Sequence, residues 1–418
     1  MKRILALSFA LTVSTAFAQQ SAADVVKQQC KDSKLTVEFW HGLTAASQQN
    51  VINGLAAEFN RLQKGAACIL PVGQGNYTDL STKIKASFAA GKGPTLAMGF
   101  ENEIALYLLA NKLADLRALG VRTNFLQKRF LTATTFDGKM YGLPFNKSVQ
   151  VMYYNKDLLK KYNAPVPQTV DEFIATARDL SKKVGAPVFW FQPTTSTFAT
   201  LFFTLGGDYE QGGKIVVNSP AAVKTLKLFV DLTKEGVAKA IVSGFVNSQL
   251  SDSYAFSLDT SAGAPFYKSG AKFNVGITTL PGMKRGVPGK GIYQGTNLIV
   301  FKDAPKEAQA LAAKFLNFST EPRNSVILAT ALSVAPVSDI TEQQPAYKTA
   351  LANNPDYKNI IKQARFATYE PRIPQWSDIR ANIIESAIKE AVAGKSTPQE
   401  ALDKAQKQVE DLLSGKAK

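Results

Sequence analysis

The sequence predicts an α/β protein in which mostly parallel sheets are flanked by helices and the chain is divided into two domains. Short apolar stretches alternate with amphipathic helical patterns along the 418 residues, and repeated βα units of this kind form parallel sheets covered by helices. A chain of about 400 residues is also longer than one hydrophobic core usually supports. Two domains of the same α/β class are therefore expected.

Residues 1–18 have the features of a cleaved secretory signal peptide. The basic pair Lys2 and Arg3 precedes the apolar run 4–13, and a small-x-small cleavage site follows at 16–18. The residue after this site is not the cysteine that a lipoprotein anchor requires, and no later segment has the ~18 unbroken apolar residues of a membrane span. We therefore expect an exported, periplasmic protein that does not span the membrane.

The charge of the chain is strongly positive. Without the signal peptide, 47 Lys and Arg residues face 33 Asp and Glu residues, for a net charge of +14 spread along the sequence. Such a field favours anionic surfaces or ligands, although it is equally a charge that keeps the protein in solution. No cluster of basic and aromatic residues suggests a nucleic-acid surface.

The chain has two cysteines, Cys30 and Cys68. In an exported protein an even pair most simply forms one disulfide. That bond would connect the segment before the first strand to the apolar run 68–72. Two unpaired buried thiols are the alternative.

The first third of the chain contains three strand predictions, at 35–42, 68–72 and 94–100. Between them, apolar residues four apart predict a helix within 47–65, and a second amphipathic helix ends at Gly91. The order is therefore strand, loop, helix, repeated.

Four later helices are predicted from amphipathic patterns with clear start signals. Thr169 and Glu172 have capping-box spacing, and Ser219 with Pro220 has the sequence of an N-cap followed by a first-turn proline. The four predicted helices occupy 167–180, 218–232, 304–318 and 396–413.

Several catalytic and metal-binding classes are excluded by residue counts. The single histidine, His41, rules out paired-histidine zinc motifs, and no G-x-S-x-G sequence supplies a nucleophilic serine. Adjacent tyrosines, Tyr153 and Tyr154, raise the possibility of ferric-ion capture, but neighbouring strand residues point to opposite faces. We expect no metal and no cofactor. A secreted glycoside hydrolase remains the alternative class, because its two carboxylates are paired in space rather than in sequence.

Three loops follow the predicted strands, at 40–42, 75–77 and 100–103, and carry aromatic and hydrogen-bonding side chains. Ligands of parallel sheets bind beyond the carboxyl ends of the strands. Aromatic faces with a few hydrogen-bonding groups suit sugars and polyols. These loops therefore predict a binding edge.

The sequence resembles a known family in several motifs, including VEFWHG, GNYTDL and YGLPFNKSVQVMYYNKDLLKK at 141–161. It is similar to the extracellular solute-binding proteins of ABC importers, and among these to the members that bind glycerol-3-phosphate. The resemblance extends from about residue 35 to the C-terminus. It implies a monomeric, two-lobed clam that closes on a ligand by hinge motion and delivers it to membrane permease subunits.

The resemblance also implies where the chain passes between the lobes. One lobe would hold 35–148 and 294–337, and the other 149–293 and 338–418. The crossings would lie near 148–153, 293–297 and 334–338.

The resemblance further implies roles for individual residues. Six positions keep the pattern of the family's cleft: Trp40, His41, Tyr77, Glu101, Ser148 and Gly295. The family's tryptophan pair in the second lobe aligns with 193–196, where this chain has Ser196 but no indole. The family's phosphate-binding arginine is displaced, so Arg372 and Arg380 are both candidates. Trp376 is a candidate stacking surface.

The predicted ligand is a small polyol phosphate or a sugar. The positive charge and the four conserved-pattern residues Tyr77, Glu101, Ser148 and Gly295 favour glycerol phosphate or its diesters. The missing tryptophan pair and the displaced arginine fit a neutral sugar equally well.

Overall fold

The computed structural model describes residues 21–415, and the predicted signal peptide at 1–18 lies outside this range. Helices and strands alternate through the first three strands, whereas five helices in succession follow the long strand near residue 300. The strands are β1 (Thr36–His41), β2 (Cys68–Gly73), β3 (Leu96–Gly99), β4 (Thr135–Phe136), β5 (Lys139–Met140), β6 (Leu143–Asn155), β7 (Phe189–Phe191), β8 (Glu210–Gln211), β9 (Lys214–Ile215), β10 (Ala238–Ala240), β11 (Phe256–Thr260), β12 (Val275–Thr278), β13 (Gly291–Val300) and β14 (Ala367–Thr368).

The helices cover both faces of the main sheet. They are α1 (Ala22–Lys31), α2 (Ala46–Leu62), α3 (Tyr77–Ala90), α4 (Glu101–Leu109), α5 (Lys128–Thr134), α6 (Lys156–Lys161), α7 (Val170–Val184), α8 (Thr195–Phe202), α9 (Pro220–Lys234), α10 (Ala264–Gly270), α11 (Lys306–Ser319), α12 (Pro322–Ala331), α13 (Asp339–Gln343), α14 (Pro345–Asn353), α15 (Pro355–Ala364), α16 (Trp376–Asp378), α17 (Glu385–Val392) and α18 (Pro398–Leu413). A π-helical segment, Ile379–Ile384, joins α16 to α17.

Ten strands form one curled, mixed sheet in the order β10-β7-β11-β6-β13-β3-β1-β2, with β12 paired to β6 and β14 to β13. The outer strands are parallel, as the βα pattern predicts. The two long strands β6 and β13 instead run antiparallel to each other, and β3 and β11 pair antiparallel to them. Both halves of the α/β clam are therefore built on one pair of central strands.

The strand β6 changes partners along its length. Residues 143–149 pair with β13, whereas residues 150–154 pair with β11. At the point of change, Lys147 also forms a bridge with Ala335. The three predicted lobe crossings, near 148–153, 293–297 and 334–338, therefore lie side by side. The lobe boundaries themselves stay a prediction.

Gly295 lets the two central strands approach each other closely. Its φ is +89°, and a Cβ atom placed on it would lie 1.6 Å from the carbonyl oxygen of Asn146. The pairing also shifts register between Thr296 and Asn297. The crossing of β6 and β13 therefore depends on the absence of a side chain at one position.

Two hydrophobic clusters pack against the sheet. The first surrounds β1 to β3 with α2 and α11, where the rings of Phe39 and Phe315 lie 5.9 Å apart. The second surrounds β7 and β11 with α7 to α9, α17 and α18, where Phe173 meets Phe189 edge to face at 5.0 Å. Aromatic and aliphatic burial of this kind is the main stabilising contribution to each half.

The start signals of the later helices act largely as predicted. The Ser219 hydroxyl accepts a hydrogen bond from the Ala222 amide, and α9 begins at the predicted proline. In α7, Thr169 caps the Glu172 amide at 3.2 Å, but the Glu172 carboxylate accepts from the Gln168 amide rather than from that of Thr169. The expected reciprocal capping box is therefore displaced by one residue.

Cys30 and Cys68 are joined by a disulfide, with their Cα atoms 5.3 Å apart. The bond ties α1 to the first residue of β2. Among residues 21–415, no helix combines the length and apolar character that crossing a membrane requires.

His41 ends β1 inside the first hydrophobic cluster. The side chain is 2% exposed, and its ring lies 5.9 Å from that of Phe39. The Leu43 amide donates to Nδ1 at 3.3 Å, so the neutral imidazole carries its proton on Nε2. Burial lowers the pKa of His41 from 6.5 to about 4, because the charged ring would lose its hydration.

Replacing Gly295 with alanine should destabilise the fold by about 3 kcal/mol or more, since the new Cβ would collide with the backbone of β6. The matched control is Gly394→Ala, where φ is +72° but no atom of the described residues lies within 4 Å of the added Cβ. Strain alone should cost that variant about 1–2 kcal/mol. Urea denaturation measures the free energy of unfolding of both variants. Equal losses of stability would show that the close approach of the two strands does not limit which residue can occupy position 295.

Acidification should destabilise the protein through His41. Between pH 6.5 and about 4 the unfolded chain binds a proton that the folded protein does not. The free energy of unfolding therefore decreases as the pH is lowered through this window, by up to about 3 kcal/mol. Because the chain has one histidine, its Hε1 proton gives a single NMR resonance to titrate. A midpoint near pH 6.5 would contradict the burial, and His41→Asn should lose this part of the pH dependence.

Candidate functional site

A cavity of about 200 Å³ lies at the crossing of the central strands. Its lining is mostly polar and comes from both central strands, from α8 and from the helices that follow Trp376. The lining residues are Gln150, Gln192, Thr194, Ser196, Thr197, Phe245, Asp259, Gln294, Arg380 and Glu385. The site therefore sits where β6 exchanges one set of strand partners for the other.

Arg380 enters this cavity already paired with a carboxylate. Its Nε atom lies 3.0 Å from both carboxylate oxygens of Glu370, and Nη2 donates to the Ser196 hydroxyl. The carbonyl of Arg380, in the π-helical segment, accepts from the Thr195 hydroxyl at 2.7 Å. Although burial opposes it, the charge of Glu370 raises the pKa of Arg380, so the guanidinium stays charged. Arg380 is held in place as a hydrogen-bond donor whose charge is largely neutralised.

Asp259 also lines this cavity, and its carboxylate is hydrogen-bonded to the backbone and to a tyrosine of the first cluster. Its oxygens accept from the Thr260 amide at 2.7 Å and from the Tyr267 hydroxyl at 3.0 Å. The hydroxyl of Ser257 donates in turn to Tyr267 at 2.9 Å. Burial raises the pKa of Asp259, and these two hydrogen bonds oppose that shift.

Gln294 connects the cavity to the strand crossing. Its side-chain amide donates to Ser196 Oγ at 2.8 Å, and its backbone pairs with Ser148 on β6. The Ser148 hydroxyl accepts from Thr260 Oγ1 at 2.9 Å and is buried. Gly295 follows directly, so Ser148 and Gly295 are neighbours of the lining residue Gln294 without lining the cavity themselves.

Tyr77 and Asn146 form a second polar contact, one step further along the strands. Asn146 Nδ2 donates to the Tyr77 hydroxyl at 3.3 Å. The tyrosine ring packs edge to face on Phe100 at 5.2 Å, and over Gly42, where an added Cβ would lie 2.6 Å from the ring. This is the physical reason for a glycine after Trp40-His41. Burial raises the pKa of Tyr77 to about 12, so the hydroxyl stays protonated.

Glu101, at the start of α4, is paired with a buried lysine. Lys147 Nζ donates to Glu101 Oε1, and Asn297 Nδ2 donates to the same oxygen at 3.1 Å. The Lys147 side chain is 1% exposed, and burial lowers its pKa while the Glu101 charge opposes that shift. The predicted hydroxyl-binding carboxylate is therefore fixed in orientation and locally neutralised.

Arg372 lies outside the cavity lining and contacts the end of α5. Its Nη1 atom donates to the carbonyls of Thr132 at 2.7 Å and Ala133 at 3.3 Å, which are C-terminal groups of that helix. The guanidinium also lies over the ring of Phe136, 5.0 Å from its centroid. These contacts make Arg372 a bridge between the α5 region and the segment that leads to Trp376.

Two predicted aromatic ligands are in fact engaged in packing. Trp376 is 1% exposed and lies 4.9 Å from the ring of Tyr209 in the second hydrophobic cluster, so its indole presents no open face in this structure. Trp40 donates its indole N–H to Glu38 at 2.7 Å and packs against the first cluster. His41 is buried as well, and none of these three residues lines the cavity.

Of the ten predicted ligand residues, Ser196 and Arg380 line the cavity, and Ser148 and Gly295 lie next to the lining residue Gln294. Tyr77 and Glu101 contact Asn146 and Lys147, which precede Ser148 on β6. Sequence reasoning missed Gln150, Asp259, Gln294 and Phe245. Alternation along β6 gave a signal for the first, because Gln150 lies two residues after Ser148 on the same face. The others depend on long-range contacts with no sequence signature.

The adjacent tyrosines of β6 face opposite sides, as the strand geometry requires. Tyr153 stacks on Tyr267 at 3.9 Å in the first cluster, whereas Tyr154 packs against the second. Residues 21–415 contain no group of three or more His, Cys, Asp or Glu side chains arranged to hold a metal ion.

Comparison with known proteins gives relatives that cover 90% or more of the chain. The sn-glycerol-3-phosphate-binding periplasmic protein UgpB of Salmonella typhimurium is 26% identical over 411 residues, covering 90% of this chain and 92% of the relative. The protein of the same name from Brucella abortus is 26% identical over 442 residues, covering 97% and 96%.

Solved structures share the fold at low identity. UgpB from Mycobacterium tuberculosis, in complex with glycerophosphocholine, superposes with a TM-score of 0.80 at 18% identity, covering 92% of this chain and 99% of that one. A solute-binding protein of Agrobacterium radiobacter in complex with ribitol gives 0.77 at 24% identity, covering 91% and 99%.

One family description matches most of the sequence. Residues 54–356 match the family model of the bacterial extracellular solute-binding protein. This match spans well over half of the 418 residues, and it agrees with the two-lobed fold of the structural relatives. The chain therefore belongs to the bacterial extracellular solute-binding protein family.

Proposed function

We propose that this protein is the extracytoplasmic substrate-binding subunit of an ABC importer. It holds a small, hydroxyl-rich solute between its lobes and presents it to the permease after hinge closure. The observation that carries the proposal is the polar cavity at the crossing of β6 and β13, which receives a side chain from each of these two central strands. The family and the predicted signal peptide support a location outside the cytoplasm.

The chemistry of the cavity favours a ligand without net negative charge. Its one arginine, Arg380, shares its Nε–H between both carboxylate oxygens of Glu370, so little positive charge is left for an anion. Two acidic residues, Asp259 and Glu385, also line this space. Glu385 is paired with Lys389 at 2.8 Å, and among the described residues the lining has no unpaired cation to offset the repulsion between Asp259 and a phosphate. A neutral sugar or polyol avoids this repulsion and can donate its hydroxyl protons to the carboxylates.

Hydrogen-bond acceptors beside the cavity support the same ligand class. Within the described residues, the amide oxygens of Asn146 and Gln294 are buried and have no hydrogen-bond donor. A buried acceptor without a donor is costly, and hydroxyl groups are donors that could reach both when the lobes open and reclose on a ligand. A phosphate brings only further acceptors.

A glycerophosphate ester is the second candidate ligand. The relatives named above are glycerol-3-phosphate-binding proteins, and one structural relative holds glycerophosphocholine. Arg372 supports this candidate, because its guanidinium contacts carbonyl groups rather than any carboxylate among residues 21–415. This arginine would have to leave the end of α5 to reach a ligand in the cavity.

We also propose the lobe bounds and the absence of catalysis. The lobes are those predicted from the sequence, with 35–148 and 294–337 forming one, and hinge motion occurs where β6 changes partners. The protein binds as a monomer and returns its solute unchanged. A glycoside hydrolase is the rival, because Asp259 and Glu385 share one cavity.

Calorimetric titration should show binding of at least one neutral compound among ribitol, maltose and trehalose, more tightly than glycerol-3-phosphate or glycerophosphocholine. Ser196→Ala should weaken that binding about tenfold, because Ser196 joins Arg380 to Gln294 in the cavity wall. Arg372→Ala, which removes an arginine outside the cavity lining, should leave the affinity for the neutral compound within a factor of about two. Tight phosphate-ester binding that is lost in Arg372→Ala would favour the second candidate.

Prolonged incubation should distinguish a binding protein from an enzyme. Chromatography of maltose and trehalose kept with stoichiometric protein should recover both sugars intact, since the proposal assigns no acid or nucleophile role to Asp259 or Glu385. Release of glucose in proportion to protein concentration, abolished in Glu385→Gln, would replace the binding function with hydrolysis.

A further inference from the structure

Ser261 is a buried serine that contacts two of the predicted lobe crossings without belonging to any of them. It begins the short 3-10 helix that follows β11, and its side chain is fully buried. Its hydroxyl accepts a hydrogen bond from the Val149 amide at 3.2 Å and donates to the Ser333 carbonyl at 2.9 Å. Val149 lies in the first predicted crossing, and Ser333 immediately precedes the third. One side chain therefore joins two connections between the lobes.

The Ser261 hydroxyl fills the gap between two partners of β6. The pairing of β6 with β11 ends at Thr260, opposite Gln150. Further towards the start of β6, the Lys147 carbonyl accepts from the Ala335 amide at 2.7 Å. The Val149 amide lies between these two contacts and donates to Ser261. A hydroxyl group both accepts and donates, so this side chain links the strand to the segment that approaches it after β11 has ended.

Ser333 is held in a backbone conformation that serine seldom adopts. Its φ is +53°, in the left-handed region that follows many helix ends and that glycine usually occupies there. The Val334 amide donates to the Ala329 carbonyl at 3.0 Å and closes the end of α12. The Ser261 hydroxyl adds the bond to the carbonyl of Ser333 itself. Residues in sparsely populated conformations cluster at functional sites and switch regions, where the surrounding contacts must hold them.

The residue before Ser261 makes a third link. Thr260 Oγ1 donates to Ser148 Oγ at 2.9 Å, and Ser148 pairs with Gln294 in the second predicted crossing. Thr260 and Ser261 therefore bond directly to residues at the first and third crossings and reach the second through Ser148. These links lie where β6 changes partners.

We propose that Ser261 is the pin of the hinge, a positioning residue that holds β6 and the segment 333–335 together and so limits the range of lobe orientations before a ligand binds. This inference rests on the proposed function, which supplies the lobes and the hinge. Ser261 does not line the cavity, so its role is conformational. A narrower range of orientations reduces the conformational entropy that the protein loses when it closes on a solute.

Electron paramagnetic resonance distances between the lobes test the pin in the full mature chain without ligand. Spin labels on Leu109→Cys and Val242→Cys, both exposed and in different predicted lobes, report the orientation of the lobes. Ser261→Ala removes two of the three hydrogen bonds that Thr260 and Ser261 make at the crossings. If these bonds act as equal springs, the width of the distance distribution should increase about 1.7-fold.

Ser257→Ala is the matched control. Ser257 is another fully buried serine of the β11 segment, and its hydroxyl also makes two hydrogen bonds, at 2.8 Å with Tyr254 and at 2.9 Å with Tyr267. Both tyrosines belong to the first hydrophobic cluster. This variant should lose thermal stability and keep the wild-type width of the distance distribution. Wild-type width in Ser261→Ala, or equal broadening in both variants, would overturn the pin.

Thr260→Val is a second variant that retains Ser261. It keeps the shape of the side chain and removes the bond to Ser148, so the width should increase about 1.2-fold by the same reasoning. If Ser261→Ala does not fold, wild-type width in Thr260→Val overturns the proposal.

Adding solutes separates the pin from the proposed function. If ribitol, maltose, trehalose, glycerol-3-phosphate and glycerophosphocholine all leave the wild-type distance unchanged, closure on a solute fails as the function. The ligand-free widths of Ser261→Ala and Ser257→Ala alone decide whether Ser261 is the pin.

Discussion

The close approach of β6 to β13 at Gly295 is the constraint on which the rest of the structure depends. These two strands pair with β3 on one side and β11 on the other, so both halves of the sheet are hydrogen-bonded through them. A side chain at Gly295 would occupy the space of the Asn146 carbonyl. Because Ser148 and Gln294 face each other one residue away, the same contact also determines the shape of the binding cavity.

Charge in the candidate site is arranged in pairs before any ligand binds. Arg380 is paired with Glu370, and Lys147 with Glu101, so the net positive charge of the chain is not concentrated at the cavity. Paired groups are oriented and hydrogen-bonded, which favours recognition of hydroxyl groups by geometry rather than attraction of an anion by charge. The relatives that bind glycerol-3-phosphate show that the same fold can serve a charged ligand, and here the local pairing is what distinguishes the two possibilities.

The sequence predicts local features well and long-range ones poorly. The βα units and the helix start at Ser219 follow from patterns within a few residues, and the structure confirms them. The antiparallel central strands could not be predicted, because their pairing joins residues more than 140 positions apart. For the same reason, the burial of Trp376 against Tyr209 and the place of Phe245 at the cavity were not visible in sequence, where an aromatic residue looks alike in a core and in a binding site.

Diffraction from crystals of the protein with its tightest-binding solute would show which ligand the cavity holds and how the charged pairs respond to it. We expect a neutral, hydroxyl-rich solute in the cavity between Ser196 and Gln294, with Arg380 still paired with Glu370. A solute bound elsewhere on the protein would contradict the assignment of the site. A phosphate group in contact with Arg380, with Glu370 displaced, would contradict the electrostatic argument and identify an anionic ligand instead.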